Sequence, residues 1–356
     1  MINSKNNTVV ILTPGFPASE IDSTCLPMQQ SFVRTLKENS PEINIIVLSF
    51  QYPYHKRVYK WFGVTVMSFN GQNKGNLKRL LLRRSLYSTL KNIHGSYKIA
   101  GIISFWYGEC ALVGKRFSGK HTIKHYCWIL GQDAKKENNY PKRVRANAGD
   151  LIALSDFLQD EFERNHNSRP QHVIPPGTDT KQFTTAVKEK NIDIIGAGSF
   201  IALKRFDIFI ELIAEIKKTF PAVKSALVGD GPEKEKLQNL VSKYGLQDNI
   251  TLTGELAHDK VLALMQSAKL LLHPSSYEGF SGVCLEALSA GTQVISFCRA
   301  MKQEIEYWHI VQNKEEMKQK ALFILQNTNT HHSHKLPFLM SDTVKAFVRL
   351  LDVSHY

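Results

Sequence analysis

The sequence predicts two tandem α/β halves, each a doubly wound parallel sheet. Three observations lead there. Short, nearly continuous apolar runs recur along the chain, and helix-like stretches separate them. Buried parallel strands read this way because helices cover both faces of their sheet. The rhythm breaks once, at Pro175, Pro176 and Gly177, and polar residues follow up to Lys190. The chain, at 356 residues, is long enough for two such domains.

In the first half, "TVVILTPGFP" reads as a buried strand running into a Gly/Pro turn. A helix-like stretch follows at 28–38, then a strand, "EINIIVLSF". Residues 74–92 read as a basic amphipathic helix with Leu77, Leu80, Leu81 and Leu86 on its apolar face. "KIAGIISFW" and "TIKHYCWIL" read as strands, and "DLIALSDFLQDEF" as a strand leading into a helix. After the linker, "DIIGAGSF", "SALVGDG", "ITLTG", "KLLLHPS" and "TQVISF" read as strands, each of the first four followed by a helical pattern. "TQVISF" is the last clear strand. The expected divisions are an N-terminal domain over 1–172, a C-terminal domain over 173–336, and a helix within 337–356 that returns to the first domain. The cleft between the halves is the natural ligand site in such an arrangement.

Composition narrows the class. No apolar run approaches the roughly 18–20 residues that span a bilayer, and the short segment Val9–Leu12 ends at Pro14 without a signal-peptide pattern. The five cysteines are scattered singly, which argues against a disulfide framework or a zinc site. A cytoplasmic protein is expected. "HHSH" at 331–334 reads as a surface loop, since no carboxylate or Cys completes a metal site there.

The net charge of +13 is uneven. The first 170 residues hold 24 Lys+Arg against 12 Asp+Glu, and the remainder 21 against 20. No acidic residue lies between Glu42 and Glu109, where Lys56, Arg57, Lys60, Lys74, Lys78, Arg79, Arg83 and Arg84 mix with tyrosine, tryptophan and phenylalanine. Such a patch suits an anionic membrane surface, a nucleic acid, or an acidic glycan or lipid; a merely solvated surface is the plain alternative.

Two glutamates stand out in "SSYEGFSGVCLEALSAG". Glu278 and Glu286 occupy a small, apolar stretch that reads as a buried helix from near Ser281 to Gly291. A carboxylate removed from water requires a partner, and none is near in sequence. Either a distant cation or a ligand supplies it. A helix starting at Ser281 directs unpaired N–H groups and a positive dipole end outward, which suits a diphosphate. Glu286 lies roughly 7–8 Å further along the helix axis, at 1.5 Å per residue. The two carboxylates can therefore address different parts of an extended ligand.

Three ordered blocks, "VIPPGTDTKQF", "GAGSFIALKRFD" and "HPSSYEGFSGVCLEALSAGTQVIS", with "LVGDGPEKEKLQ" between the last two, resemble family 4 glycosyltransferases, the group 1 type with the GT-B fold. The resemblance is good over 173–296 and weaker elsewhere. It implies two Rossmann-like domains facing across a cleft, and a retaining, metal-independent hexosyl transfer. The donor would be a nucleotide diphosphate sugar, and the acceptor a glycan or lipid-linked molecule of cell-envelope polysaccharide or glycolipid synthesis. No cofactor, metal or nucleic acid is implied, and an anionic inner membrane face is the expected docking surface.

By this resemblance Glu278 holds donor-sugar hydroxyls, Glu286 the ribose hydroxyls, and Lys204 the leaving diphosphate. The amides of Phe280, Ser281, Gly282 and Val283 line the sugar and phosphates, with Gly279 and Gly282 admitting close approach, and Gly15 supplies the glycine loop of the first domain. Four places depart from the pattern. Ser199 stands where an Arg is frequent, with Arg205 as a substitute. Leu130 stands at the family's site histidine, with His125 out of register and Asp133 left as a capping or acceptor-side residue. The double glycine at Gly15 is missing, and so are the glycines after Phe297, where Glu304 matches a family Glu. A catalytically degenerate sugar-nucleotide-binding scaffold is the alternative reading. The chain contains no Asp-x-Asp, the pair that would present a metal to a diphosphate, and no GxxxxGK[ST].

Overall fold

The computed structural model describes residues 7–183, 189–327 and 334–353. The chain divides into two units, one formed by 1–177 with 340–356 and the other by 178–339. The division falls after Gly177, where the sequence placed it after 172; the returning segment starts at Met340, where the sequence placed it at 337. Residues 184–188 of the expected linker and 331–333 of "HHSH" lie outside the described residues.

The first unit holds β1 (Asn7–Gly15), α1 (Pro27–Asn39), β2 (Asn44–Tyr52), β3 (Arg57–Trp61), β4 (Val64–Ser68), α2 (Asn76–Ser96), β5 (Lys98–Phe105), α3 (Glu109–His121), β6 (His125–Ile129), α4 (Tyr140–Val144), β7 (Leu151–Ala153), α5 (Asp156–His166) and β8 (His172–Val173). Its sheet runs β3-β4-β2-β1-β5-β6-β7-β8. Only the β3–β4 pair is antiparallel. Val9, Val10, Ile11, Leu12, Ile102 and Ile103 on its central strands are all fully buried, which is why those strands read as unbroken apolar runs.

Two sequence expectations change here. The basic aromatic gap after Tyr52 contains the hairpin β3–β4, closed by Phe62 and Gly63 with φ of 43° and 78°. Two consecutive positive φ values are those of the tight turns that match strand twist. The apolar face of α2 is also displaced. Leu82, Leu86, Leu90 and Ile93 are buried, at helical spacing, whereas Leu77, Leu80 and Leu81 are 67%, 43% and 51% exposed. Of the four leucines assigned to that face, Leu86 alone packs inward. Burying each such side chain contributes about 1.5–3 kcal/mol, so the second stripe sets the helix's rotation.

The second unit holds β9 (Ile192–Ala197), α6 (Phe206–Lys217), β10 (Ser225–Val228), α7 (Lys234–Lys243), β11 (Ile250–Gly254), α8 (His258–Gln266), β12 (Ala268–His273), α9 (Gly282–Ser289), β13 (Gln293–Ser296), β14 (Trp308–Ile310) and α10 (Lys314–Gln326). Its sheet is wholly parallel, in the order β11-β10-β9-β12-β13-β14. β14 and α10 were not expected, so "TQVISF" is followed by one more strand. The core joins Phe209 and Ile213 of α6 to Leu227, Leu270, Leu272 and Ile295 of the sheet and to Met317 and Ile324 of α10. The last helix, α11 (Met340–Leu351), belongs to the first unit. There Phe347 lies 5.0 Å, ring centre to ring centre, from both Phe32 and Trp128. Among the described residues no helix is long and apolar enough to cross a membrane.

Candidate active site

In the second sheet, chain order reverses direction between β9 and β12. The loops beyond the C-terminal ends of these two strands therefore meet, the position where open parallel sheets bind ligands. Ser276, after β12, donates from its backbone N–H to the Leu203 carbonyl at 3.0 Å and from its hydroxyl at 3.2 Å. That contact sets Lys204 beside Glu278. The turns after β9 and β10 also interlock. Gly229, at φ 145°, lies so close to the Gly198 carbonyl that a Cβ there would sit 1.9 Å from its oxygen. No other residue fits.

Glu278 is the hub. Its Oε1 accepts from Lys204 Nζ at 2.5 Å and from His273 Nε2 at 3.1 Å. Burial alone would raise its carboxyl pKa, but the His273 hydrogen bond and the Lys204 charge outweigh it and hold the value down at about 2. Glu278 is therefore ionised. His273, fully buried at the end of β12, has its pKa lowered by burial, so the imidazole is neutral near pH 7 and carries its proton on Nε2, facing the carboxylate. An ammonium group has three donors. Among the described residues Lys204 spends one on Glu278, which leaves two for an anionic ligand.

Glu286 sits on α9 and is partly exposed rather than buried. Its Oε1 lies 2.9 Å from Nε2 of His258, the first residue of α8. Burial opposes protonation of His258, yet the Glu286 hydrogen bond and charge leave its pKa raised. The question posed by the two glutamates thus has a structural answer: Lys204 and His273 for one, His258 for the other. The sequence reading named neither histidine. His273 was legible as the polar residue ending an apolar strand five positions before Glu278. His258 offered no local signal.

The remaining site residues divide clearly. Ser281 is the N-cap of α9, but its hydroxyl makes no capping bond, and no acidic residue lies in the first turn. A Cβ on Gly282 would meet open space. Gly279 is buried and Val283 half-buried. The Phe280 ring is core, edge-on to Trp308 at 5.7 Å and to Phe338 at 5.8 Å, so its backbone is what it can offer a ligand. Ser199 is exposed.

Arg205 does not stand in for the missing arginine: its backbone is left-handed (φ 51°), and its Nε and Nη2 bond the Asp207 carboxylate at 3.1 Å each. Glu304 is exposed and, with Arg299, Trp308 and Lys320, lines a cavity of about 480 Å³. In the first unit, Gly15 ends β1 in register with Tyr52, and a Cβ there would make only ordinary contacts. Leu130 is buried. Asp133 caps its turn, accepting from the backbone N–H of Tyr107 at 2.7 Å and of Leu130 at 2.9 Å. His125 is buried against the Ser104 hydroxyl at 2.8 Å, with its pKa pushed down by burial to about 3, a structural histidine.

Two α/β units on largely parallel sheets, the second with an acid–lysine pair at its switch point, make the GT-B fold. Residues 177–333 match the family described as glycosyl transferases group 1. An uncharacterized glycosyltransferase of Methanocaldococcus jannaschii is 26% identical over 270 residues, 74% of this chain and 73% of that protein. The fold is shared with sucrose-phosphate synthase from Thermosynechococcus elongatus (TM-score 0.73, 20% identity, 98% of this chain and 96% of that one). It is shared too with Anabaena HepE solved in complex with UDP-glucose (TM-score 0.68, 18% identity, 97% and 96%).

Proposed function

We propose that the protein is a retaining glycosyltransferase that moves a sugar from a nucleotide diphosphate sugar to a glycan or lipid-linked acceptor. The observation that carries this is the placement of Lys204 and ionised Glu278 beside the uncapped start of α9. The α9 amides and Lys204 receive the diphosphate, Glu278 orients sugar hydroxyls, and Glu286, steadied by His258, takes the ribose hydroxyls. The acceptor oxygen bonds to the anomeric carbon on the face from which the phosphate oxygen departs. The electron pair of the broken C–O bond leaves with the diphosphate, which also takes the acceptor's proton. No protein base is required, so Leu130 in place of a histidine is compatible with turnover. The similarity to a fold solved with UDP-glucose supports a nucleotide sugar as donor.

A thermal-shift screen of nucleotide sugars tests the reading. A true donor at 100 Kd stabilises the fold by about 2.7 kcal/mol, and one member of the panel is expected to raise Tm by several degrees. Leu130 and Ser199 favour the second reading, a degenerate scaffold. A donor that stabilises the fold but is neither hydrolysed nor transferred would establish it. Glu286→Ala is expected to raise KM for the donor with little change in kcat, the mark of lost ground-state binding; an unchanged KM would remove Glu286 from the site.

The same proposal includes peripheral docking on an anionic membrane. Exposed Leu77, Leu80 and Leu81 lie among Lys78, Arg79 and Arg84 on α2, and apolar side chains beside basic ones suit an interfacial helix. Arg83 and Arg79 are less available than their charge suggests, at 2.7 and 3.8 Å from Glu109 Oε1. Cosedimentation is expected with anionic but not neutral vesicles, and loss in roughly 0.5–1 M salt, where screening shortens to a few ångströms. The triple variant Leu77→Ser/Leu80→Ser/Arg84→Glu should abolish it without altering the donor's thermal shift. Equal capture by both vesicle types would refute docking by charge.

A further inference from the structure

In the first unit, the loop joining β4 to α2 borders a cavity of about 390 Å³ lined by Lys56, Lys74 and Lys78. The three lysines come from separate stretches: the approach to β3, the end of the loop, and the first turn of α2. No carboxylate lines the cavity, and among the described residues none of the three forms an ion pair. Lys56 Nζ lies 6.0 Å from the centre of the Phe69 ring, which forms one wall. Leu81, half exposed, forms another.

The floor is rigid. Phe69, Gly71 and Gln72 donate backbone N–H bonds to the carbonyls of Ser49, Phe50 and Gln51 at 3.0, 2.9 and 3.2 Å, and Asn73 N–H bonds the Gln51 side chain at 2.8 Å. A Cβ on Gly71 would lie 2.2 Å from Gln51 Oε1 and 2.8 Å from the Phe50 carbonyl oxygen, so the loop is seated directly on the strand ends. The cavity therefore opens at the C-terminal edge of the parallel sheet, the edge that ends in Gly15 on β1 and the one at which such sheets take ligands.

The charges there are arranged against themselves. α2 is 21 residues long, has Gly75 as N-cap with no side-chain cap, and carries no acidic residue in its first turn. Lys74 and Lys78 thus add positive charge at the end of the helix that is already positive. Glu109, the carboxylate bonded to α2, is taken by Arg83 and by the Gln51 amide. Lys56, Lys74 and Lys78 thus gather like charge with no carboxylate in the lining to offset it, and the cavity has room for an anion.

We propose that this cavity is an anion subsite that takes a phosphoryl group of the acceptor, a phosphate monoester or diphosphate. Assigning it to the acceptor rests on the transferase reading above; the anion site itself does not. The ammonium groups are point-charge donors suited to phosphate oxygens, and Leu81 at the rim accepts an apolar substituent.

Titration of sodium pyrophosphate into the full chain tests it, with Lys204→Ala as background to silence the diphosphate position in the other unit. One saturable site is expected at about 50 mM salt, where screening is weak. Adding Lys56→Ala, Lys74→Ala and Lys78→Ala should weaken it by roughly tenfold or more, whereas the three Lys→Arg changes, which keep the charge, should retain it and serve as the folding control. Phosphatidylcholine vesicles with and without phosphatidic acid separate the sources. Capture by phosphatidic acid that pyrophosphate blocks supports a lipid-borne phosphate. Pyrophosphate binding with no capture, or with capture indifferent to pyrophosphate, supports a soluble phosphorylated acceptor. No pyrophosphate binding, or binding unchanged by the three alanines, overturns the subsite. Because no donor is present, a protein that binds pyrophosphate here but responds to no nucleotide sugar keeps the subsite and loses the transferase reading.

Discussion

Replacing Lys204 by alanine is expected to lower kcat for sugar transfer by on the order of 10²-fold or more, the scale for losing one preorganised electrostatic contact to a developing charge. Breaking the sugar–phosphate bond builds negative charge on the departing oxygen, and Lys204 is held 2.5 Å from Glu278 by the contact between the β9 and β12 loops. Its side chain is one-fifth exposed, so the ammonium is sheltered but reachable. The effect should fall on kcat more than on KM, since the charge it meets is largest in the transition state. The substitution also strips Glu278 of a partner, so a urea melt of the same variant is needed to separate lost chemistry from lost stability. A fall of less than about threefold would place the lysine outside the reaction. Transfer is further expected to continue in EDTA, since the chain has no Asp-x-Asp to present a metal to the diphosphate.

Much of the architecture was readable because each sheet is buried on both faces. Val9–Leu12, Ile102–Ile103 and Leu270–Leu272 are apolar without alternation, and length with flanking turns then separates strand from helix. The β3–β4 hairpin escaped because "RVYKWFGVTVMS" lies at the sheet edge, where Arg57, Val58 and Lys60 stay exposed; it reads as a charged patch before it reads as a strand. On α2 two leucine stripes compete, and only tertiary packing decides that Leu82, Leu86, Leu90 and Ile93 go inward.

At the site, the glutamates were visible as misplaced charges; His273 lies only five residues from Glu278, but Lys204 and His258 lie 74 and 28 residues from Glu278 and Glu286. Such distances are crossed by sheet order, which local pattern does not contain. Arg205 shows the opposite failure. Adjacency to Lys204 suggested a shared task, yet a left-handed residue ends the short turn there, and its guanidinium is held by Asp207.

Glu278 gives a result in two observables. Glu278→Gln keeps the shape and removes the charge. Sugar transfer is expected to fall by roughly 10²–10³-fold, as for loss of one oriented polar contact, while affinity for the free nucleoside diphosphate, which lacks the sugar, stays nearly intact. The second observable is acid stability. The folded carboxyl pKa is depressed to about 2, below the ordinary value near 4.3. The stabilisation it contributes is therefore fully present above the unfolded value and is lost as pH falls through the folded one. The gap corresponds to on the order of 3 kcal/mol at neutral pH. The wild-type advantage over Glu278→Gln should thus be largest near pH 7 and shrink between about pH 5 and pH 2, read by urea melts across that range. A difference that does not vary with pH would mean that the Lys204–Glu278–His273 contact carries no net charge stabilisation. Full transfer activity in Glu278→Gln would remove Glu278 from the reaction altogether.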